Sequence, residues 1–382
     1  KTSHKDKGKN EQSIPYSLFH ISSITFRLVL QFSCQWSYWR KSKVNLFFKL
    51  FLSLLLIVAI YLVAWPVPVD PKPWDAPAQP ELVGQYEPNS QLSKFDVVQI
   101  DGLHGPEAIT TNAQGDVYTT THEGWILRLK AGSNNIERWI NVGGRPLGIA
   151  FDKAQNLWVA NAFIGLQKVT VDGQVTVEAT SAEGIPIVYA DDVVVTPNGK
   201  IYFSDASTKF SAKKANNTLN ASLLDLIEHG LYGRIIEFDP KTKTTSVLMR
   251  DLSFANGVTS SKAGDFLLVA ETGSYRIWKH WLQGEKAGES EVLIANLPGF
   301  PDNIHRGLDG RYWFGLTSPR SKILDDLSEK PFLRKVIQRL PPFMRPNVEP
   351  YGHIIAIDEM GKVLLDLQDP NGAYPATTGA WE

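Results

Sequence analysis

Cysteine is nearly missing from this chain: of 382 residues, only Cys34 carries a thiol. One thiol cannot make an intrachain disulfide or a thiolate zinc cluster. Because Cys34 lies in the basic N-terminal stretch, the main body also has no cysteine nucleophile. Any metal in the body must be held by oxygen or imidazole. Net charge is small too, at −1, but unevenly spread: residues 1–43 hold eight Lys/Arg against two Asp/Glu, and residues 44–382 hold 31 against 38. The body therefore lacks the basic footprint of a nucleic-acid binder, and no nucleic-acid partner is expected. Gly-x-Ser-x-Gly, His-Glu-x-x-His and Gly-x-x-x-x-Gly-Lys are all absent, which removes the usual serine hydrolase, zincin and P-loop readings. His104, His122, His229 and His353 are scattered. Without a partner motif, each reads as a structural or surface histidine rather than a base.

Hydrophobic residues make up 43% and charged residues 21%, the balance of a globular chain. Eighteen Phe, 12 Tyr and 11 Trp stand beside 29 Gly and 23 Pro, favouring many short strands and turns over long helices. Residues 46–65 are the exception, a nearly unbroken apolar run of about the ~20 residues needed to cross a bilayer. Arg40, Lys41, Lys43 and Lys49 crowd its N-terminal side, and Asp70 and Asp75 follow it. The positive-inside rule then places the N-terminus in the cytoplasm and the remainder on the extracytoplasmic side, whether periplasmic, lumenal or extracellular. The rival is a cleaved secretory signal, but Trp65, Pro66 and Pro68 stand where small residues should precede a cleavage site. The expected organisation is a basic segment at 1–43, disordered or a spurious extension, and a signal-anchor at 44–65. A Pro-rich, stiff linker at 66–94 and the folded domain at 95–382 follow.

The body hides a repeat. A polar residue, a short apolar stretch and a turn eight residues on lead each time into an alternating strand. Glu107 precedes Gly115, Asp191 precedes Gly199, Asn256 precedes Gly264 and Asp302 precedes Gly310, each by eight residues; Pro146-Leu147-Gly148-Ile149 repeats the pattern without a polar member. Each unit continues into a second strand pair, and four short antiparallel strands every ~40 to 65 residues describe β-propeller blades. The fold class expected is therefore all-β, a six-bladed propeller with one N-terminal transmembrane helix. Its sixth blade opens at Gly352-His353-Ile354-Ile355, and residues 95–100 close the ring; on four strands per blade, that last blade reads as C-terminally truncated. Two stretches break the period. One contains the sequons Asn216-Asn217-Thr218 and Asn220-Ala221-Ser222, suited to an exposed loop. The other, residues 328–345, has helical spacing of Leu333, Val336, Ile337 and Leu340, read as a helix capping the blade edge or touching a bilayer surface.

Inner strands of a propeller run side by side, so residues in equal register meet on its axis. Glu107, Asp191, Asn256 and Asp302, with Asn303 adjacent, meet there, and no Lys or Arg shares their register. Three carboxylates in a low-dielectric channel do not all stay ionised unless a cation neutralises them. Ca²⁺ accepts six to eight oxygens at about 2.3–2.6 Å in irregular geometry, which suits this set. The alternative is a polar, water-filled channel whose acids share protons and hydrogen bonds. A channel ion polarises an ester or lactone carbonyl and binds the attacking water, and Asp302 or Asp192 is the candidate general base.

At Gly199-Lys200-Ile201-Tyr202-Phe203-Ser204-Asp205, Phe254-Ala255-Asn256-Gly257-Val258, Leu268-Val269-Ala270-Glu271 and Phe300-Pro301-Asp302-Asn303-Ile304, the chain resembles the strictosidine synthase-like proteins. Within that family it is similar to the adipocyte plasma membrane-associated protein group. More distantly it resembles the paraoxonases and the regucalcin/gluconolactonase propellers. The resemblance runs from about Phe95 onward and implies a six-bladed propeller. It also implies that Glu107, Asp191, Asn256, Asp302 and Asn303 occupy the calcium-ligand positions of the paraoxonases, with Asp191 replacing an Asn. Two departures bear on activity. Leu147 stands where paraoxonases carry a catalytic histidine, and Leu316-Thr317-Ser318-Pro319-Arg320 offers no carboxylate where strictosidine synthase uses a glutamate. The expectation is a membrane-anchored, calcium-dependent hydrolase of small aryl esters or lactones. The alternatives are a non-catalytic binding propeller with structural Ca²⁺ and, less favoured, a lyase condensing an amine with an aldehyde.

Overall fold

The computed structural model describes residues 21–100 and 102–382. No Gly or Pro interrupts residues 21–64, so nothing breaks helix α1 (Ile21–Ala64) before Pro66. Its Lys43–Ala64 part has mean hydropathy 2.7 and is long and apolar enough to cross a membrane. Residues 21–43, expected to lack structure, are thus helical; residues 1–20 of that segment lie outside the described residues.

Pro66–Glu382 forms a separate compact unit. Its first blade holds β1 (Ile109–Thr111), β2 (Val117–Thr120), β3 (Trp125–Leu129) and β4 (Ile136–Asn141). The second holds β5 (Pro146–Phe151), β6 (Leu157–Asn161), β7 (Gly165–Val169) and β8 (Val175–Ala179). A small hairpin, β9 (Ser181–Ala182) with β10 (Ile185–Pro186), precedes the third. That blade comprises β11 (Ala190–Val195), β12 (Ile201–Asp205), β13 (Gly233–Asp239) and β14 (Thr244–Leu252). The fourth has β15 (Ala255–Ser260), β16 (Phe266–Glu271), β17 (Arg276–Trp281) and β18 (Ser290–Ile294). The fifth has β19 (Gly299–Arg306), β20 (Tyr312–Pro319), β21 (Gly352–Ile357) and β22 (Val363–Asp369).

Every blade is an antiparallel meander, the local pairing that tight turns dictate. Gly115, Gly199, Gly264 and Gly310, the glycines of the repeat, all have positive φ in the turns that close the innermost hairpins. Blades stack face to face, so their middle strands are covered on both sides; β16 is buried along its whole length. The core is therefore divided into layers between successive blades, such as Trp158, Leu166, Phe203 and Ile236 between the second and third. Leu268, Ile304, Phe314 and Ile355 fill the layer between the fourth and fifth.

Four expectations change. Gly352 and its neighbours do not open a sixth blade: they are the third strand of the fifth, and five four-stranded blades stand among the described residues. The cause is an insertion between β20 and β21, which pushes the second strand pair far along the sequence. It carries α4 (Lys322–Asp326) and α5 (Pro331–Arg339), numbered after two helices inserted in the third blade, α2 (Ala212–Ala215) and α3 (Thr218–Glu228). Residues 95–100 form no strand. Residues 66–94 are not a free spacer: Val69 and Tyr86 are buried, and Trp74 stacks on His229 with ring centroids 4.0 Å apart. Apolar side chains between the prolines find apolar hollows on the body, which outweighs extension into solvent. The sequons are not in a plain loop: the first spans the α2–α3 junction, where Asn217 caps α3 by accepting from Asn220 N, and the second lies within α3.

Candidate metal and substrate site in the channel

Four inner strands break register at the same place. In β5 the irregularity spans Leu147 and Gly148; in β11, Asp191 and Asp192; in β15, Asn256 and Gly257; and in β19, Asp302 and Asn303. A bulge leaves residues out of the ladder and re-aims their side chains, which is how an otherwise regular strand points polar groups down the channel. Glycine within two of these bulges permits close approach. A Cβ on Gly148 would lie 2.5 Å from Asp192 Cα, and one on Gly257 would lie 2.4 Å from Asp302 O. Neighbouring inner strands thus touch backbone to backbone, in the order β1, β5, β11, β15, β19. Between β19 and Glu107 runs a C-terminal segment: Asn303 N donates to Thr378 O at 2.9 Å, and Thr378 Oγ1 donates to Glu107 O at 2.7 Å.

Glu107, Asp191, Asn256 and Asp302 line one cavity of about 530 Å³. Their grouping perturbs them all. Burial first, then the charges of Glu107 and Asp191, push Asp302 well above the carboxylate range, against a hydrogen bond from Asn256. Burial, Glu107 and Asp192 likewise raise Asp191. Burial also raises Glu107, opposed by Arg145 and by Asn303, whose Nδ2 lies 3.4 Å from Glu107 Oε1. The amide oxygens of Asn256 and Asn303 are buried with no hydrogen-bond partner. Orphaned acceptors beside crowded carboxyls are the complement of a hard cation, so these residues fit calcium by donor chemistry. Among the described residues, however, no three His, Cys, Asp or Glu side chains are grouped as ligands of one ion. The two amides are therefore integral to any such site. Asn303 itself is not on the cavity wall and meets the site through Glu107.

Asp192, the other candidate base, faces away from the cavity. Its Oδ1 accepts from Val193 N at 2.8 Å and its Oδ2 from Val258 N at 2.9 Å, while its own N donates to Ser204 Oγ. Fully buried, it ties the third blade to the fourth, and burial raises its carboxyl to about 7. A bulge splits two adjacent acids in this way: one enters the channel, the next enters the blade interface.

The cavity wall includes residues the register did not mark. Arg145, two positions before Leu147, is buried and places NH2 3.3 Å from Glu107 Oε2, with NH1 donating to Gly105 O. Its long side chain reaches the axis from outside the equal register, which spacing alone does not reveal. His122 also lines the cavity, its imidazole held below the ordinary value by burial and then by Arg145. Glu349, from the insertion after β20, lies on the wall too, and its backbone N donates to Ser318 Oγ at 3.0 Å. A carboxylate-bearing residue therefore does sit beside Ser318, supplied from a distant part of the sequence. Of the other histidines singled out in the sequence, His229 and His353 are structural, His229 Nδ1 bonding Ser253 Oγ at 3.1 Å and His353 bonding Asp366 at 2.8 Å, while His104 is exposed with Nδ1 2.8 Å from Glu123 Oε1.

A strictosidine synthase-like 7 protein of Arabidopsis thaliana is 35% identical over 344 residues, covering 87% of each chain. This chain belongs to the strictosidine synthase-like family. The adipocyte plasma membrane-associated protein of Bos taurus is 34% identical over 345 residues, covering 84% of this chain and 81% of that one. The strictosidine synthase family model matches residues 191–285, and the model for the N-terminal part of strictosidine synthase-like proteins matches residues 84–129. The second match begins inside the segment expected to be linker, in keeping with its packing on the body. Among solved structures, a gluconolactonase of Xanthomonas campestris superposes with a TM-score of 0.52 at 15% identity, covering 72% of this chain and 78% of that one, a likeness of fold. This member of the strictosidine synthase-like family is thus a β-propeller, with one N-terminal helix suited to a membrane.

Proposed function

We propose that this chain is a membrane-anchored, calcium-dependent hydrolase of small aryl esters or lactones. Its body would lie on the extracytoplasmic side, on a six-sector ring whose sixth inner position would be taken by the C-terminal segment that bonds Asn303 and Glu107. The observation that carries the reading is the convergence of Glu107, Asp191, Asn256 and Asp302 on one cavity, beside two orphaned amide oxygens. Glu107, Asp191, Asn256, Asp302 and Asn303 would hold the ion. Bound there, Ca²⁺ would supply Lewis acidity toward the substrate carbonyl. The protein's own groups do the rest. Arg145, on the same wall, holds the Glu107 carboxylate. Asp302, on the cavity wall, takes the proton of the attacking water and returns it to the leaving oxygen. Phe254 and Phe300, also on the wall, cover an aryl ring and exclude bulk water from it.

The test is hydrolysis of phenyl acetate and of a small lactone by the full chain in lipid nanodiscs, with calcium or with chelator. Turnover that needs calcium and is lost in Asp302→Ala supports the reading. Turnover indifferent to chelator overturns the metal role. Calcium binding without turnover leaves a binding propeller. Glu349 favours a second reading, the amine–aldehyde condensation, because it adds a carboxylate-bearing residue to the cavity that Ser318 also lines. Product from an arylethylamine and an aldehyde, lost in Glu349→Gln, would establish that reading in place of the first.

A further inference from the structure

Helix α5 is docked inside out. Arg334 and Arg339 are buried, whereas Phe332 and Leu333 face solvent. Arg334 donates to the carbonyls of Ile227, Lys72 and Ser328, so its guanidinium is consumed in holding the helix to the body. The short helical turn that follows exposes Phe343 at 86% and Met344 at 56%, and Ile323 on α4 is exposed at 53%. Five large apolar side chains from one insertion are thus exposed to water. Burying a single one is worth roughly 1.5–3 kcal/mol, so a monomer in solution has reason to cover them.

We propose that this face, Ile323, Phe332, Leu333, Phe343 and Met344, rests in the interfacial layer of a lipid bilayer. Two further observations select lipid as the occupant. Lys322 and Lys330 are exposed within two residues of Ile323 and Phe332, and long cationic side chains at the edge of an apolar face suit the polar layer of a bilayer. The face also lies where the chain enters the body after its apolar helix. Asp70 Oδ1 accepts from Lys335 Nζ at 2.8 Å, Lys72 O accepts from Arg334, and Trp74 N donates to Ser328 O. Asp70 stands only six residues after Ala64, the end of the candidate span, a stretch of at most ~20 Å. Ser321, Leu324 and Pro346, from the same insertion, line the cavity, so its mouth adjoins this face.

The experiment uses the full chain with Cys34→Ser, placed in nanodiscs of phosphatidylcholine with a minority of phosphatidylglycerol. A nitroxide is attached at Phe343→Cys or Phe332→Cys and, as controls, at Met360→Cys or Val171→Cys, which are exposed elsewhere on the body. Expected is strong relaxation of the 343 and 332 labels by oxygen and weak relaxation by a nickel chelate, with the opposite ranking at 360 and 171. Labels at 343 and 332 as open to the nickel chelate as the controls would overturn the proposal. So would labels shielded from both reagents, the signature of a protein cover such as a second copy. The readout involves no turnover, so failure here is separate from failure of the hydrolase reading.

Discussion

Replacing Asp192 with Ala separates a structural acid from a catalytic one. The substitution leaves the N–H groups of Val193 and Val258 without their acceptors in a fully buried interface. A buried donor left unsatisfied costs about 1–3 kcal/mol, so the two together cost roughly 2–6 kcal/mol. Removing a carboxyl that burial itself disfavours gives back part of this, since Asp192 is raised to about 7 by desolvation. A net loss of about 2–4 kcal/mol remains, or a fall in Tm of roughly 4–8 °C at ~2 °C per kcal/mol for a body of this size. Tryptophan fluorescence in a thermal melt of the full chain reads this directly, and 11 Trp give ample signal. Asp302→Ala should behave oppositely without calcium. It relieves crowding among Glu107, Asp191 and Asp302, so its Tm should hold or rise, while its response to added calcium disappears. A Tm for Asp192→Ala within about 1 °C of the parent would refute the claim that this carboxylate clamps the blades.

Three other outcomes are expected. Arg145→Gln removes the cation beside Glu107, so calcium measured by titration calorimetry should bind several-fold more tightly; weaker binding would mean that Arg145 orders the carboxylate more than it competes with the ion. Burial lowers the His229 imidazole to about 4 from its ordinary 6.5, so its contribution is complete above pH 6.5 and is lost as pH falls through that window toward 4. At ~1.4 kcal/mol per unit this amounts to about 3 kcal/mol, and His229→Phe, which keeps the ring stack on Trp74, should flatten urea midpoints measured between pH 7 and 4.5. Arg334→Ala deletes bonds to three carbonyls, at least about 3 kcal/mol for charge-assisted bonds; α5 should then detach, and limited proteolysis should cut within residues 331–345 well before the blades unfold.

The repeat was legible because each inner hairpin needs a left-handed turn, and glycine eight residues beyond a polar side chain marks both the turn and the channel position. Propeller architecture and the meeting of Glu107, Asp191, Asn256 and Asp302 follow from that register. What escaped it comes from outside the period. The insertion between β20 and β21 displaced two strands into an apparent sixth blade. Arg145 and Glu349 reach the cavity from positions the repeat does not index. Asp191 and Asp192 look equivalent in sequence, and only the bulge decides which of them enters the channel. The prolines of residues 66–94 signal extension correctly but carry no information on what the intervening Val69 and Trp74 adhere to.

Bare backbone at Gly148 and Gly257 sets a lower bound on how this centre can diversify. With adjacent sectors in van der Waals contact at Asp192 and Asp302, the throat has no room to accept bulk from within or to widen one wall without its neighbour. Selection for a different substrate would therefore act on the rim, through α3, α4 and the loop bearing Glu349, and leave the throat dimensions constant while the entrance is rebuilt.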